Sequence, residues 1–365
     1  MSSLPSQFHP CTGCGAKLEF APGTSALKCP YCGAQNAIAE ASTEEKAKAL
    51  ERLDFLAYLK DKAGDEPQLE RQTVKCPGCG AAVQLPPNVA ADRCPFCAGP
   101  LVAGSAYSHR TIQPRAVAPF VIKESAARQS FKSWLSGLWF APNALKEAAH
   151  AESGLKGVYL PYWTYDANSQ SPYMGERGTV YFEQESYTEN GQQKVRQVER
   201  VRWSAVSGQV AVQFSDVLVS ASNSVPRNFV NGLAPWKLDL LAPYRDDFVT
   251  GFTVEAYQTG LEPGFGLAQQ QMEVEIRAAI CRDIGGDRQR ILSMAPQYSD
   301  IAFKHILLPI WLSSYRYADK TYRFVVNGQT GSVQGERPWS AWKIAGAVLA
   351  AIIVLVVVAA IRHHP

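Results

Sequence analysis

Leu155-Lys156-Gly157-Val158-Tyr159-Leu160-Pro161-Tyr162-Trp163 returns 148 positions later as Phe303-Lys304-His305-Ile306-Leu307-Leu308-Pro309-Ile310-Trp311, with Lys, Leu, Pro and Trp aligned. The surroundings repeat as well. Ahead of the first copy lie a strand-like stretch over 117–122 and a helix-like stretch over 126–140. Ahead of the second lie a strand-like stretch over 248–257 and a long amphipathic helix over 267–283. Further strands follow each copy, at 179–184 and at 321–326, the latter turning through the hairpin-forming dipeptide Asn327-Gly328. Residues 110–338 therefore read as an internally duplicated strand–helix–strand–strand unit, an α+β domain. Between the halves, 196–205 and 208–220 alternate like two strands paired with each other. Gly175-Glu176-Arg177 and Gly335-Glu336-Arg337 read as the turns that follow each copy. Exposed aromatic residues are common binding anchors, but the Leu-Pro-x-Trp elements read more simply as core strands whose proline marks a bulge or an edge.

A second and sharper repeat precedes this domain. Cys11, Cys14, Cys29 and Cys32 recur as Cys76, Cys79, Cys94 and Cys97, each shifted by 65 positions. A Cys-x-x-Cys turn delivers two thiolates from one tight knuckle, and two knuckles complete the tetrahedral shell of a structural zinc. Gly15, Gly33 and Gly80 follow the second cysteine of three knuckles, where a positive φ suits glycine; Ala98 and then Gly99 follow the fourth. Residues 8–38 and 73–103 are thus two zinc ribbons, each too small to fold on an apolar core, and the expected cofactor is two Zn²⁺ per chain. Four protein ligands close each site to water, so the metals are structural. A helical spacer over 40–66 separates them. Ser42-Thr43-Glu44-Glu45 starts it, Leu50, Leu53, Leu56 and Leu59 continue it with Phe55 beside the stripe, and Gly64 and Pro67 end it. The spacer is expected to pack between the ribbons, with docking on a partner as the alternative.

The other end of the chain is apolar. Residues 344–361 contain no charge, and 18 residues of helix span about 27 Å, close to the ~30 Å of a hydrocarbon core. Trp339 and Trp342 stand where an interfacial aromatic belt would lie. Residues 342–362 are read as a single transmembrane tail anchor in the lipid bilayer. Met1–Pro10 has no apolar run of the kind a signal peptide needs. Reduced thiolate sites belong in a reducing compartment, and Arg337 and Lys343 before the span outnumber Arg362 after it. Both place the N-terminal domains in the cytoplasm.

Composition excludes several function classes. The net charge is +3, and residues 1–104 carry ten Lys/Arg against eleven Asp/Glu. The ribbons hold only Lys17 and Lys28, then Lys75 and Arg93, which is not the basic stripe that nucleic acid needs. The chain lacks a GxxxxGK[ST] loop, an HExxH and a GxSxG, so no catalytic residues are assigned and no enzyme is expected. The histidines are scattered, and His9 lies near Cys11 beside an already full ligand set. Asp283-Ile284-Gly285-Gly286-Asp287 reads as a helix C-terminal turn, and Cys281 as a core residue.

With tandem ribbons, the LKGVYLPYWTYDA and FKHILLPIWLSSYRY elements, the VNGQTG–GERP hairpin and a terminal anchor, the chain resembles a family of bacterial membrane-anchored zinc-ribbon proteins. These carry names such as "primosomal protein N′ (replication factor Y) superfamily helicase" or "TFIIB-type zinc ribbon protein". The resemblance covers nearly the whole length, and the eight cysteines match in full. It implies an adapter in the bacterial inner membrane that recruits flotillin-like (SPFH) or PspA-like proteins during envelope stress. Separately, Gly346 and Ala350 form a small-xxx-small pair, a spacing that can help self-association but is more often incidental. The other reading is a membrane-tethered zinc-ribbon protein that binds nucleic acid in replication or transcription.

Overall fold

The computed structural model describes residues 10–60, 68–84, 91–97, 99–102, 106–142, 154–189, 191–317 and 320–363. His9, Gly64, Pro67 and Ala98, named above, lie outside them. The fold mixes helix and sheet, with two four-cysteine groups near the N-terminus and one apolar helix at the C-terminus. After the short strands of the first ribbon come the two helices of the spacer, α1 (Thr43–Leu50) and α2 (Phe55–Lys60). The first half of the repeat then supplies β1 (Ala116–Val117), α3 (Glu124–Ser136), β2 (Lys156–Glu189) and β3 (Gln192–Ser220). The second half supplies β4 (Thr253–Glu255), α4 (Leu261–Ile284), β5 (Arg288–Met294), β6 (Gln297–Tyr317), β7 (Lys320–Asn327) and β8 (Val333–Gly335). The apolar helix α5 (Ala341–His363) closes the chain.

The two copies of the nonapeptide are neighbours. β2 and β6 run antiparallel with Leu160 opposite Leu308, Val158 opposite Ile310 and Tyr162 opposite Ile306. Leu160 therefore faces its own counterpart, and a local two-fold axis passes between the copies. The rest follows this axis. β4 lies parallel to Val158–Tyr159, and β1 lies parallel to Ile306–Leu307. β3 pairs with β2 from Tyr162 outward, and β7 pairs with β6 from Ile310 outward. The halves are interleaved, because each short parallel strand joins the long strand of the other half.

This arrangement corrects the expectation for the prolines. β2 and β6 are central strands, and the register shifts fall at 165–168 and 174–175 of β2 and at 299–302 of β6 rather than at Pro161 or Pro309. Pro161 sits in the gap between the end of β3 and the end of β4, and Pro309 sits in the gap between β7 and β1. The donor that proline lacks is not needed there. Their carbonyls still accept, from Ala221 N–H (2.9 Å) and Gly328 N–H (2.9 Å). The tryptophans are core residues. The buried indole of Trp163 donates to the Thr259 carbonyl (2.9 Å), just ahead of α4. That of Trp311 donates to the Ile122 carbonyl (2.8 Å), just ahead of α3. Each copy thus fixes the helix of the other.

Both faces of the central pair are covered, which explains why its sequence is an apolar run and not an alternation. Val158, Leu160, Ile306 and Leu308 pack with Val225, Phe229, Val230 and Leu233. On the other face Tyr159, Leu307 and Trp311 meet Phe131 and Leu135 of α3, while Trp163, Tyr165 and Phe303 meet Phe265, Met272 and Ile276 of α4.

Four other expectations change. The spacer is not one helix: α1 opens with the Ser42–Glu45 capping box but ends at Leu50, and Leu53–Asp54 then pairs with Ala302–Phe303 of β6. Asp54 accepts from Ala57 N–H (2.6 Å) and starts α2. The leucine stripe mimics a helix, yet Leu50 and Leu56 are exposed and Phe55 is the buried residue, so the spacer packs on the main domain. Residues 196–205 and 208–220 do not pair with each other, since both belong to β3. Gly208 marks a close approach rather than a turn: a Cβ there would lie 2.9 Å from the Tyr173 hydroxyl and from Asp283 Oδ2. Gly175-Glu176-Arg177 lies within β2, where Arg177 Nε reaches the Ile284 carbonyl (2.5 Å), while Gly335 ends β8. The strand-like stretches shorten to Ala116–Val117 and to Thr253–Glu255, the latter preceded by a helical turn, Asp246–Val249. The Asn327-Gly328 hairpin does join β7 to β8, with Asn327 Oδ1 accepting from Gln329 and Thr330 N–H.

Two stability measurements follow. Leu308→Ala removes a fully buried side chain at the two-fold axis and is expected to cost about 3 kcal/mol in denaturant unfolding. Glu255 is buried and accepts from Ser224, and burial pushes its pKa up to about 7 against the Ser222 and Ser224 hydroxyls. An acid raised in the folded state stabilises it fully below the unfolded pKa and loses that contribution as pH rises to about 7. Glu255→Gln removes this loss. The variant is expected to gain on the native chain by about 3 kcal/mol between pH 4.5 and 8, and a difference independent of pH would contradict it.

Candidate metal centres

Each ribbon is built from two knuckles with one backbone pattern. The first cysteine of a knuckle donates its N–H to the carbonyl five residues on: Cys11 to Ala16, Cys29 to Ala34, Cys76 to Ala81 and Cys94 to Gly99. Gly15, Gly33 and Gly80 take φ of 74°, 77° and 78°, and their N–H groups close back on Cys11, Cys29 and Cys76. The fourth knuckle keeps the long bond although Ala98 stands where the others have glycine.

These turns bring together all eight sequence-assigned cysteines in two groups, Cys11, Cys14, Cys29 and Cys32, and Cys76, Cys79, Cys94 and Cys97. Within each group the sulfurs lie within 4.8 Å of one another. Cys11 and Cys32 approach to 3.4 Å and Cys14 and Cys29 to 3.5 Å. In the second group Cys76 and Cys97 stand at 3.4 Å and Cys79 and Cys94 at 3.6 Å. These are not disulfide distances. A tetrahedral metal with bonds of about 2.3 Å requires sulfurs about 3.8 Å apart, so each group could hold one ion. Cys281, half-buried on α4, belongs to neither group.

The electrostatics also call for a cation. Backbone N–H groups of Cys32 and Tyr31 favour the Cys29 thiolate and hold its pKa down at about 6. Burial opposes ionisation of Cys76, but the N–H groups of Cys79 and Gly78 bring it down to about 7. Cys32 goes the other way: the Ala34 N–H favours its thiolate, yet crowding by the sulfurs of Cys11, Cys29 and Cys14 pushes it up to about 12. Four thiolates this close ionise together only around a positive ion.

The ribbons are not free modules, which the sequence did not signal. Phe20 of the first donates its N–H to Thr250 (2.9 Å) and packs edge-on against Phe248 at 5.5 Å. With Leu18 and Leu27 it joins the core that holds Tyr159 and Trp311. The second ribbon extends the main sheet, since its strand Ala82–Gln84 pairs with β4, Val83 opposite Glu255. Its Val74, Val83, Phe96 and Leu101 join the core of the opposite face.

The remaining sequence candidates hold the fold together. Asp283 accepts from the Tyr173 hydroxyl (2.5 Å) and Asp287 from Val180 N–H (2.8 Å), around Gly285 and Gly286 at the end of α4. Buried His305 bonds the Ile112 carbonyl through Nδ1 (2.7 Å), and burial lowers its pKa to about 4, so the ring is neutral. At the C-terminus, Ala341–Ala359 is apolar and long enough to cross a membrane, and none of it is buried within the protein.

The chain is similar to the "Uncharacterized protein YdjG" of Bacillus subtilis (strain 168), with 25% identity over 339 residues, covering 92% of each chain. No family model and no solved structure matches it.

The full chain purified without chelator is expected to carry two metal ions, and Cys29→Ser or Cys94→Ser to carry one. Each loss is also expected to lower the Tm of the whole chain, because Phe20 and Val83 tie the ribbons to the sheet. Elemental analysis that still found two ions in Cys94→Ser would exclude the second cluster.

Proposed function

We propose that the protein is a non-enzymatic adapter, anchored in the bacterial inner membrane by α5, whose cytoplasmic domains carry two structural Zn²⁺ and present a docking surface to protein partners. All-sulfur tetrahedral sites suit zinc, and closed ligand sets leave no position for a substrate. Similarity to a bacterial chain over nearly its whole length supports the bacterial setting.

The observation that carries this reading is an arm. β5 pairs with β2 only as far as Gly178. Beyond that point residues 179–189 and 192–202 continue as a two-stranded ribbon about 35 Å long. One face is a ladder of ion pairs, Glu185 with Arg196 (2.7 Å), Glu189 with Lys194 (2.7 Å) and Glu183 with Arg200 (3.4 Å). The other face is mixed: Val180, Phe182, Val195 and Val201 stand among Gln184, Gln197 and Glu199, with Phe182 65% and Val195 62% exposed. Because these basic residues are matched by carboxylates, the arm offers little to a phosphate backbone. A two-stranded hairpin is marginal in water and gains from a partner that adds a strand or covers exposed side chains such as Phe182 and Val195. The ribbons, by contrast, spend their apolar faces on the domain.

Flotillin-like (SPFH) and PspA-like proteins are the partner classes that the family resemblance implies. Crosslinking and pull-down of the full chain from native membranes should recover such a protein. Phe182→Glu with Val195→Glu, both at exposed positions, should reduce recovery at least tenfold while leaving metal content and membrane association unchanged. Equal recovery by the double variant would remove the arm from the proposal, and recovery of no protein partner by the native chain would remove the adapter reading.

A further inference from the structure

The turn after α3 carries a tryptophan that the core does not use. Leu138 and Ala141 are buried and root the turn, while Trp139 between them is 80% exposed. The turn is fastened to the foot of α5. Ser340 N–H donates to the Phe140 carbonyl (2.8 Å), and Lys343 Nζ donates to the carbonyls of Trp139 (3.2 Å) and Ala141 (2.8 Å). The Phe140 ring lies 6.4 Å from that of Trp339. These bonds hold Trp139 level with residues 340–343, where Trp342 is itself 89% exposed.

Below this level runs an apolar cleft of about 420 Å³, walled by Phe140, Trp339, Ile344, Ala347, Val348 and Ala351. It continues along about the first three turns of the apolar helix. In water an exposed tryptophan beside an open apolar cleft is costly. At a membrane boundary the same residue is at its preferred depth, and the cleft opens toward acyl chains.

We infer that Trp139 and Phe140 form a second membrane contact: Trp139 enters the bilayer interface beside the spanning helix, and a lipid acyl chain fills the cleft between Phe140 and α5. The occupant is lipid rather than protein because the cleft is continuous with the surface of the span. The inference rests on α5 crossing the membrane. Two attachment points fix the orientation of the domain over the bilayer, whereas a single helix would let it swivel. Lys343 is the pin, since its ammonium is committed to the turn.

The test uses the full chain labelled with 5-fluorotryptophan in phosphatidylcholine–phosphatidylglycerol nanodiscs. Trp139→Phe, Trp342→Phe and Trp163→Phe assign three ¹⁹F resonances. Lipid bearing a doxyl label near the headgroup should broaden the Trp139 and Trp342 signals at least twofold and leave that of buried Trp163 unchanged. A water-soluble gadolinium chelate should relax Trp139 at least twofold less than an 80% exposed side chain in water. A Trp139 signal that responds to gadolinium but not to doxyl lipid, while Trp342 responds to lipid, overturns the second contact and leaves the anchor standing. A Trp139 signal shielded from both agents also overturns it, since protein would then cover the residue. If neither tryptophan responds to lipid, the contact and the spanning helix fail together.

Discussion

The antiparallel pairing of β2 with β6, centred on Leu160 opposite Leu308, is the constraint from which the rest of the molecule follows. It places two apolar strands side by side with no solvent face. Both surfaces of the sheet must then be covered, and the chain covers them with different material. α3, α4, the first ribbon and the spacer lie on one face, while the second ribbon and the segment around Phe229 lie on the other. Pro161 and Pro309 are tolerated in the middle of a sheet because the same symmetry opens a gap beside each.

An ion held by each four-cysteine group would add cohesion to this framework. A ribbon of about 30 residues cannot bury enough apolar surface to fold alone, and an ion held by four thiolates supplies the difference. Once formed, each ribbon lends its few apolar residues to a larger core. Phe20 among Phe248 and Phe252, and Val83 beside Glu255, are where metal affinity becomes stability of the whole domain. The coupling runs both ways, because loosening the domain also loosens the scaffold that aims the sulfurs.

Much of this was legible in the residues. Cysteine spacing fixes ligand geometry through covalent distances, so both four-sulfur groups could be read directly. The repeat announced itself through Lys, Leu, Pro and Trp at one offset, and the apolar tail through length alone. What could not be read was long-range. That Leu160 meets Leu308 depends on 147 intervening residues, and nothing local distinguishes a proline at a gap from one at an edge. The spacer misled because leucines spaced by three imitate a helix, while the fold used Phe55 instead. The hairpin arm was missed for a different reason. Asn190-Gly191 is a strong turn signal, with Gly191 at φ 76°, but the alternation splits into 196–205 and 208–220, which the fold makes one strand.

The interleaving has a kinetic side. During synthesis β2 and β3 are complete long before β6 exists, and the parallel neighbour of β2, the short β4, also arrives later. Closing a loop of 148 residues costs about 4 kcal/mol of chain entropy before the central pair returns any of it. Folding that depends on such distant contacts is slow. The long hairpin is local and can form first, leaving the apolar side of β2 uncovered until the second half of the chain is made. The docking faces of both ribbons wait for the same event. The molecule therefore passes through a stage of open apolar strand and unpaired ribbons, and its yield in the cell should depend on how long that stage lasts.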